Sequence, residues 1–262
     1  MMTSRLARDC LGLFVCAALW LGLVPAASAG IQISPLQLEF APSERSGQLT
    51  LRNTSDTAVA LQVRVFEWSQ PESMGMALQP TTVITASPAI VTLAPGATQL
   101  VRVLRREKLS TDRERYYRLL LDELPDASAA SRNAVQMLTR YSLPIFVLPR
   151  LMGQAELSAV RVRCQDNRDF IDVRNVGTRR ARLAEWQLLQ ADSASTDAKA
   201  SGRVVAQTTG LTGYVLPGGE LRIPVTAALP ATDLEWRVKT DHRDWKTTLA
   251  WPAEVSACAA MP

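Results

Sequence analysis

From Ile31 onward, short runs of alternating apolar and polar residues follow one another with turn chemistry between them, a period of two that predicts strands. Ahead of Leu148 the runs are IQISPLQLEF, GQLTLRN, AVALQVRVFEW, IVTL, TQLVRVLR, RYYRLLLDEL and NAVQMLTRYSLPIFV. Ala41-Pro42-Ser43, Asn53-Thr54-Ser55-Asp56 and Ala94-Pro95-Gly96 separate them with turn-favouring residues. Leu49 and Leu51, then Val59, Leu61, Val63 and Val65, supply core faces at alternate positions. Such a series fits an immunoglobulin-like sandwich.

The last run, Asn133 to Val147, is longer than a small sandwich needs. Its odd positions Val135, Met137, Thr139, Tyr141, Leu143, Ile145 and Val147 are mostly apolar, whereas Gln136, Arg140 and Ser142 interrupt the even ones. Pro144 has no backbone N–H, so the run is expected to be an edge strand or to fray from its neighbour near that residue. A long apolar edge invites aggregation unless a partner uses it, and the run therefore reads as a binding strand. The alternative is an ordinary closing strand of the core.

Leu148-Pro149-Arg150 places the domain boundary, giving a first domain over 30–148 and a second over 149–262. The second half repeats the pattern in AELSAVRVRC, DFIDVRN, ARLAEWQLLQ, GRVVAQ, YVLPGGELRIPV, LEWRVKT and WKTTLAW. The expected fold is thus all-β, with two sandwiches. Leu51-Arg52-Asn53 and Val173-Arg174-Asn175 hint at a shared architecture, although two short matches do not make a repeat.

The first 29 residues read as a signal peptide: Arg5 and Arg8, an apolar run from Leu11 to Val24, then the small residues Ala27, Ser28 and Ala29. The run is shorter than the roughly 20 residues of a membrane helix, and no stable membrane insertion is expected after cleavage. Cys164 and Cys258 then remain, open to a disulfide or to two free thiols. Of 29 basic and 25 acidic residues, Arg5, Arg8 and Asp9 leave with the signal, so the mature balance is 27 to 24. So mild a charge, densest at Arg105, Arg106 and Lys108, gives no case for nucleic acid. No cofactor, metal site or enzymatic activity is expected: His242 is the one histidine, and no GxSxG elbow or phosphate-binding glycine loop accompanies it. A hydrolase resting on His242 and an adhesive two-sandwich surface protein are the competing readings.

ISPLQLEF, LAPGATQLVRV (Leu93 to Val103), DRERYYRLLLDELP (Asp112 to Pro125) and RYSLPIFVLP (Arg140 to Pro149), in this order, give the chain a resemblance to the periplasmic chaperones of chaperone-usher pilus assembly. RYSLPIF looks most like the archaic or alternative branch. The resemblance implies a periplasmic chaperone without ATP, two immunoglobulin-like domains at an angle, and pilus subunits and an outer-membrane usher as partners; the exposed apolar edge itself leaves self-association of the free chaperone open. A pilus subunit lacks its last strand, and the chaperone lends one of its own, by strand addition. The implied donor positions are Val135, Met137 and Thr139, with Tyr141 and Leu143 as substitutes for the less apolar Thr139.

The best-known members clamp the subunit's terminal carboxylate with an Arg on the first strand and a Lys at the base of the closing strand. Gln37 and Pro144 occupy those positions here. The anchor is therefore expected at Arg140, with Arg118 second, because a guanidinium binds a carboxylate bidentately. The resemblance also implies an interdomain charge network of Arg102, Glu114 and Asp241.

Overall fold

The computed structural model describes residues 30–71, 75–106, 113–125, 137–190 and 202–254. The first sandwich comprises β1 (Ile31–Ser34), β2 (Leu38–Phe40), β3 (Ser46–Asn53), β4 (Val59–Ser69), β5 (Ala77–Pro80), β6 (Ile84–Ser87), β7 (Ile90–Leu93), β8 (Thr98–Arg105), β9 (Arg115–Glu123) and β10 (Arg140–Val147). The second comprises β11 (Leu157–Arg163), β12 (Asp169–Asn175), β13 (Ala181–Gln190), β14 (Arg203–Thr208), β15 (Gly213–Val215), β16 (Glu220–Val225), β17 (Leu234–Thr240) and β18 (Asp244–Leu249). All these regular elements are strands.

In the first sandwich, the sheet β1-β3-β8-β6 packs on the sheet β2-β10-β9-β4-β5, with β7 also paired to β4. Alternation decides which side chains meet: Leu49 and Leu51, Leu61 and Val63, Val101 and Val103, Leu119 and Leu121, and Leu143, Ile145 and Val147 share one buried core. The IQISPLQLEF run does not form one strand. It breaks at Pro35, and its halves join opposite sheets, β1 beside β3 and β2 parallel to β10. Two short strands, β5 and β6, form in sequence that carried no strand expectation. The second sandwich pairs β11-β12-β16 with β14-β13-β17-β18, and β15 extends β13. Its core gathers Ile171, Val173, Leu183, Leu188, Ile223, Trp236 and Val238.

The hint in the two Arg-Asn turns is structural. The Nδ2 of buried Asn53 donates to the carbonyls of Thr57 (2.7 Å) and Leu93 (3.0 Å). Asn175 does the same to Arg179 (2.7 Å) and Val215 (3.0 Å), each partner standing 122 positions after its counterpart. Each asparagine carbonyl also accepts from the glycine of a Pro-Gly turn, Gly96 at 3.0 Å and Gly218 at 2.8 Å. Both glycines have positive φ (71° and 72°), as the third residue of a type II turn requires. Each asparagine thus ties the end of a strand to the turn that crosses from the opposite sheet into its own. Asn53→Ala leaves the carbonyl of buried Leu93 without that donor and takes one from exposed Thr57, and is expected to lower stability by about 2 kcal/mol, read from urea unfolding.

Candidate functional site

β10 pairs with β9 without interruption from Arg140↔Asp122 to Val147↔Arg115, but with β2 only at Ile145, Phe146 and Val147. Over residues 140–144 its other edge has no strand beside it among the described residues. The hydrogen bond from Glu123 N to Thr139 O (3.0 Å) sets the parity of the ladder. Odd residues turn their backbone groups to β9 and even residues turn theirs to the open side. Leu148 N, which donates to Phe40 O on the β2 side at 2.9 Å, follows the same parity. The Pro144 nitrogen therefore points away from β9, and the ladder runs through that residue without fraying. The open edge presents the N–H groups of Arg140 and Ser142.

The strand is shorter than the run that suggested it. Within the described residues it begins at Arg140, and Val135 lies outside them. Met137, 89 % exposed, and exposed Thr139 precede it, with Thr139 N held by Glu123 Oε2 at 3.1 Å. Tyr141 is half-buried at the rim of the core, its hydroxyl donating to Glu123 Oε1 at 3.4 Å. Leu143 is only 6 % exposed and packs into the chain's own core, so it is not free for a partner. The apolar surface at this edge comes from Met137 and Leu138, together with exposed Leu36 in the step between β1 and β2.

The even positions of β10 and β9 and the end of β4 turn toward the second sandwich. There Trp68, Phe146, Tyr214 and Leu216 form a separate buried cluster. The Trp68 ring centroid lies 6.4 Å from Phe146 and 6.0 Å from Tyr214, and the Phe146 and Tyr214 centroids are 5.4 Å apart. Gln70 stitches the joint like a strand: its Nε2 donates to Tyr214 O and its Oε1 accepts from Leu216 N, both at 2.7 Å. Gly219 admits this approach, since a Cβ there would stand 2.8 Å from Gln70 Cβ. Gln37 accepts from the Tyr214 hydroxyl at 3.1 Å.

Arg118 lies over this cluster, its guanidinium carbon 3.8 Å from the Trp68 ring centre. Among the described residues its one hydrogen bond is a long one, 3.5 Å from Nη1 to Ser142 O, and its buried Nε has no partner. Burial pulls its pKa below the usual arginine value, against the opposing pull of Tyr214. Among the described residues no carboxylate pairs with it. Arg140, in contrast, is exposed and bonded to Asp122, which also accepts from Arg64 Nη2 at 2.6 Å. Burial opposes the ionisation of Asp122, but the hydrogen bonds and charges of the two arginines hold its pKa below the usual value. Arg118 is thus the cation with capacity to spare.

The charge network at the joint differs from the expected set. Glu114, 5 % exposed, faces Arg180 rather than Arg102, which lies exposed on β8, away from the joint. Arg180, 3 % exposed, reaches Glu114 and Glu39 through its two terminal nitrogens and lies 3.6 Å over the Phe146 ring. Its N–H donates to Glu114 Oε2 at 3.2 Å, and the Tyr116 hydroxyl donates to the same oxygen at 3.1 Å. Asp241 takes the Arg182 N–H at 3.1 Å and raises the Arg180 pKa at longer range, although burial lowers it overall. His242 lies beside Asp241, with Nε2 3.2 Å from Oδ2. The Arg179-Arg180 pair just ahead of β13 was the available signal for this cation. Nothing in the sequence marked Trp68, Gln70 or Tyr214 as a group.

Residues 30–152 match the family model described as the pili and flagellar-assembly chaperone, PapD N-terminal domain. No curated protein matches the chain significantly by sequence. Among solved structures, the CsuC–CsuE chaperone–tip adhesion subunit pre-assembly complex from the archaic chaperone-usher Csu pili of Acinetobacter baumannii is similar, with TM-score 0.59 and 21% identity over 84% of this chain and 98% of that one. The Salmonella enterica SafA pilin in complex with the SafB chaperone follows at 0.53 and 15%, over 84% and 96%. The E. coli chaperone DraB gives 0.51 and 16%, over 83% and 96%. The first domain thus matches the PapD N-terminal domain of pilus-assembly chaperones, and the chain as a whole shares the two-sandwich fold of the chaperones in these structures.

Proposed function

We propose that the protein is a periplasmic chaperone that captures pilus subunits by lending them the open edge of β10 and delivers them to an outer-membrane usher. The observation that carries this reading is the edge over residues 140–144, which no described strand pairs, flanked by exposed Met137, Leu138 and Leu36. An incomplete sandwich pairs with such an edge through its backbone and takes alternate side chains into its groove. Met137 and Thr139 fill that groove, with Val135 beyond them; they share the parity of the core residues but lie past the chain's own core. The same edge gives the free chaperone a surface for self-association. Arg118 is the carboxylate anchor, and Glu114 and Asp241 hold the domains together through Arg180. Cys164 and Cys258, the two cysteines expected after signal cleavage, form the proposed disulfide.

Co-expression with a pilus subunit that lacks its last strand tests this reading. An equimolar complex is expected, and equal recovery of soluble subunit without the chaperone would overturn it. In the same assay Arg118→Ala is expected to raise Kd at least thirtyfold, a loss of about 2 kcal/mol, because it removes a partly buried cation from a charge pair. Arg140→Ala should stay within about threefold, since Arg140 is exposed and already bonded to Asp122. The reverse order would move the anchor to Arg140.

A further inference from the structure

Behind the joint, on the second sandwich, a cavity of about 270 Å³ opens between the connection that follows β10 and the β17–β18 turn. Gly153, Gln154, Arg179, His242, Arg243 and Trp245 line it. We propose that this cavity binds a small oxyanion, a phosphate or carboxylate group held between Arg179 and Arg243.

The lining side chains are rich in donors and include no carboxylate. Arg179 has a buried Nε without a partner, and among the described residues neither Arg179 nor Arg243 pairs with a carboxylate. Asp241 and Asp244, the acids that flank His242 and Arg243 in sequence, do not line the cavity. Asp241 accepts the Arg182 N–H and pairs with His242, and Asp244 lines a different cavity with Lys239 and Lys246. Arg180, the neighbour of Arg179, is committed to Glu39 and Glu114. The cavity therefore gathers positive charge that the protein does not neutralise, and an anion there relieves the repulsion.

The frame around the cavity is held in place. Thr240 Oγ1 accepts from His242 N (3.3 Å) and Arg243 N (3.2 Å) and donates to Arg243 O (2.6 Å), which orders the turn. Gln154 O accepts from Thr178 N (2.8 Å) and Arg179 N (3.2 Å), tying the connection to the start of β13. The Trp245 ring backs the Arg243 guanidinium at 3.6 Å, leaving the guanidinium edge for an oxyanion. Burial lowers the His242 pKa and Asp241 opposes, while Arg179 and Arg180 lower it further, as expected of a site short of negative charge.

His242 is the chain's one histidine, so its ring resonances report on the site without ambiguity. Titrating the purified protein with inorganic phosphate, at fixed pH and with ionic strength held by sodium chloride, should shift them saturably. Arg179→Ala and Arg243→Gln should each weaken the response at least tenfold, whereas Arg140→Ala should leave it unchanged. Arg243 is exposed, so its variant remains readable if the loss of Arg179 disturbs folding. A parallel titration with an acetylated, amidated Glu-Glu dipeptide separates the sources. Tighter binding of phosphate identifies a free oxyanion, and tighter binding of the dipeptide identifies acidic side chains of a partner. A shift that never saturates with either probe, or that survives both arginine substitutions, overturns the site. Because the readout needs no pilus subunit, its failure leaves the chaperone reading untouched.

Discussion

Arg180→Ala is expected to cost about 3–5 kcal/mol and to uncouple the two domains. Removing one member of a buried ionic set leaves the others desolvated without compensation. The side chain of Glu114 is only 1 % exposed, so the charge left behind would be buried. The carboxylate would retain the Tyr116 hydroxyl and the Arg180 N–H, but no cation. Phe146 would also lose the guanidinium that covers it. Urea unfolding should then change from one transition toward two, with the first sandwich released from the second. Pairing Arg180→Met with Glu114→Gln removes both charges and should restore more than half of the loss. Arg102→Ala, at an exposed position on β8, should change stability by less than about 0.5 kcal/mol. A single transition for Arg180→Ala, within 1 kcal/mol of the parent, would sink the assignment.

Legibility in the sequence follows from how local each property is. The alternation of Leu49 and Leu51 or of Leu119 and Leu121 is visible in the chain because a strand exposes its two faces in turn, and these residues are buried together. The sequence distinguishes the two faces of a strand without saying what covers each. Trp68, Phe146 and Tyr116 stand on the face opposite their own core, and only the docking of Tyr214 and Leu216 makes that face an interior. The same limit explains Arg102. Its place after LAPG suits an outward strand position, whereas the cation that reaches Glu114 comes from the start of β13, 66 residues away in sequence.

Pro144 illustrates the point at the scale of one residue. Its missing N–H was evident, and an edge or a fraying strand followed from it. Register alone decides between them: with Glu123 N bonded to Thr139 O, an even residue faces away from β9, and proline costs the ladder nothing. The paired asparagines show the opposite case. Two dipeptides were too little to establish a repeat, yet each occupies a buried site whose geometry demands an amide and a Pro-Gly turn together.

Ser142→Pro is expected to abolish subunit capture while leaving the chaperone folded. The N–H of Ser142 faces the open side of β10, so its loss removes no bond from the β9 ladder, and proline is tolerated at such edge positions. Pro144 already occupies the next outward position in the same strand. Between residues 140 and 144 only Arg140 and Ser142 offer outward N–H groups, so the substitution deletes one of two donors and places a ring where the incoming strand must lie. Subunit recovered with the variant should fall below about a tenth of the parent value, with the melting temperature nearly unchanged. Tyr141→Pro, one position away, strikes an inward N–H and should instead destabilise the first sandwich itself. Met137→Asp tests the side chains in the same assay, since burying a carboxylate in an apolar groove is strongly unfavourable. Normal subunit recovery from folded Ser142→Pro protein would show that the subunit does not pair with this edge, and the apolar face around Leu36 and Met137 would then need a different partner.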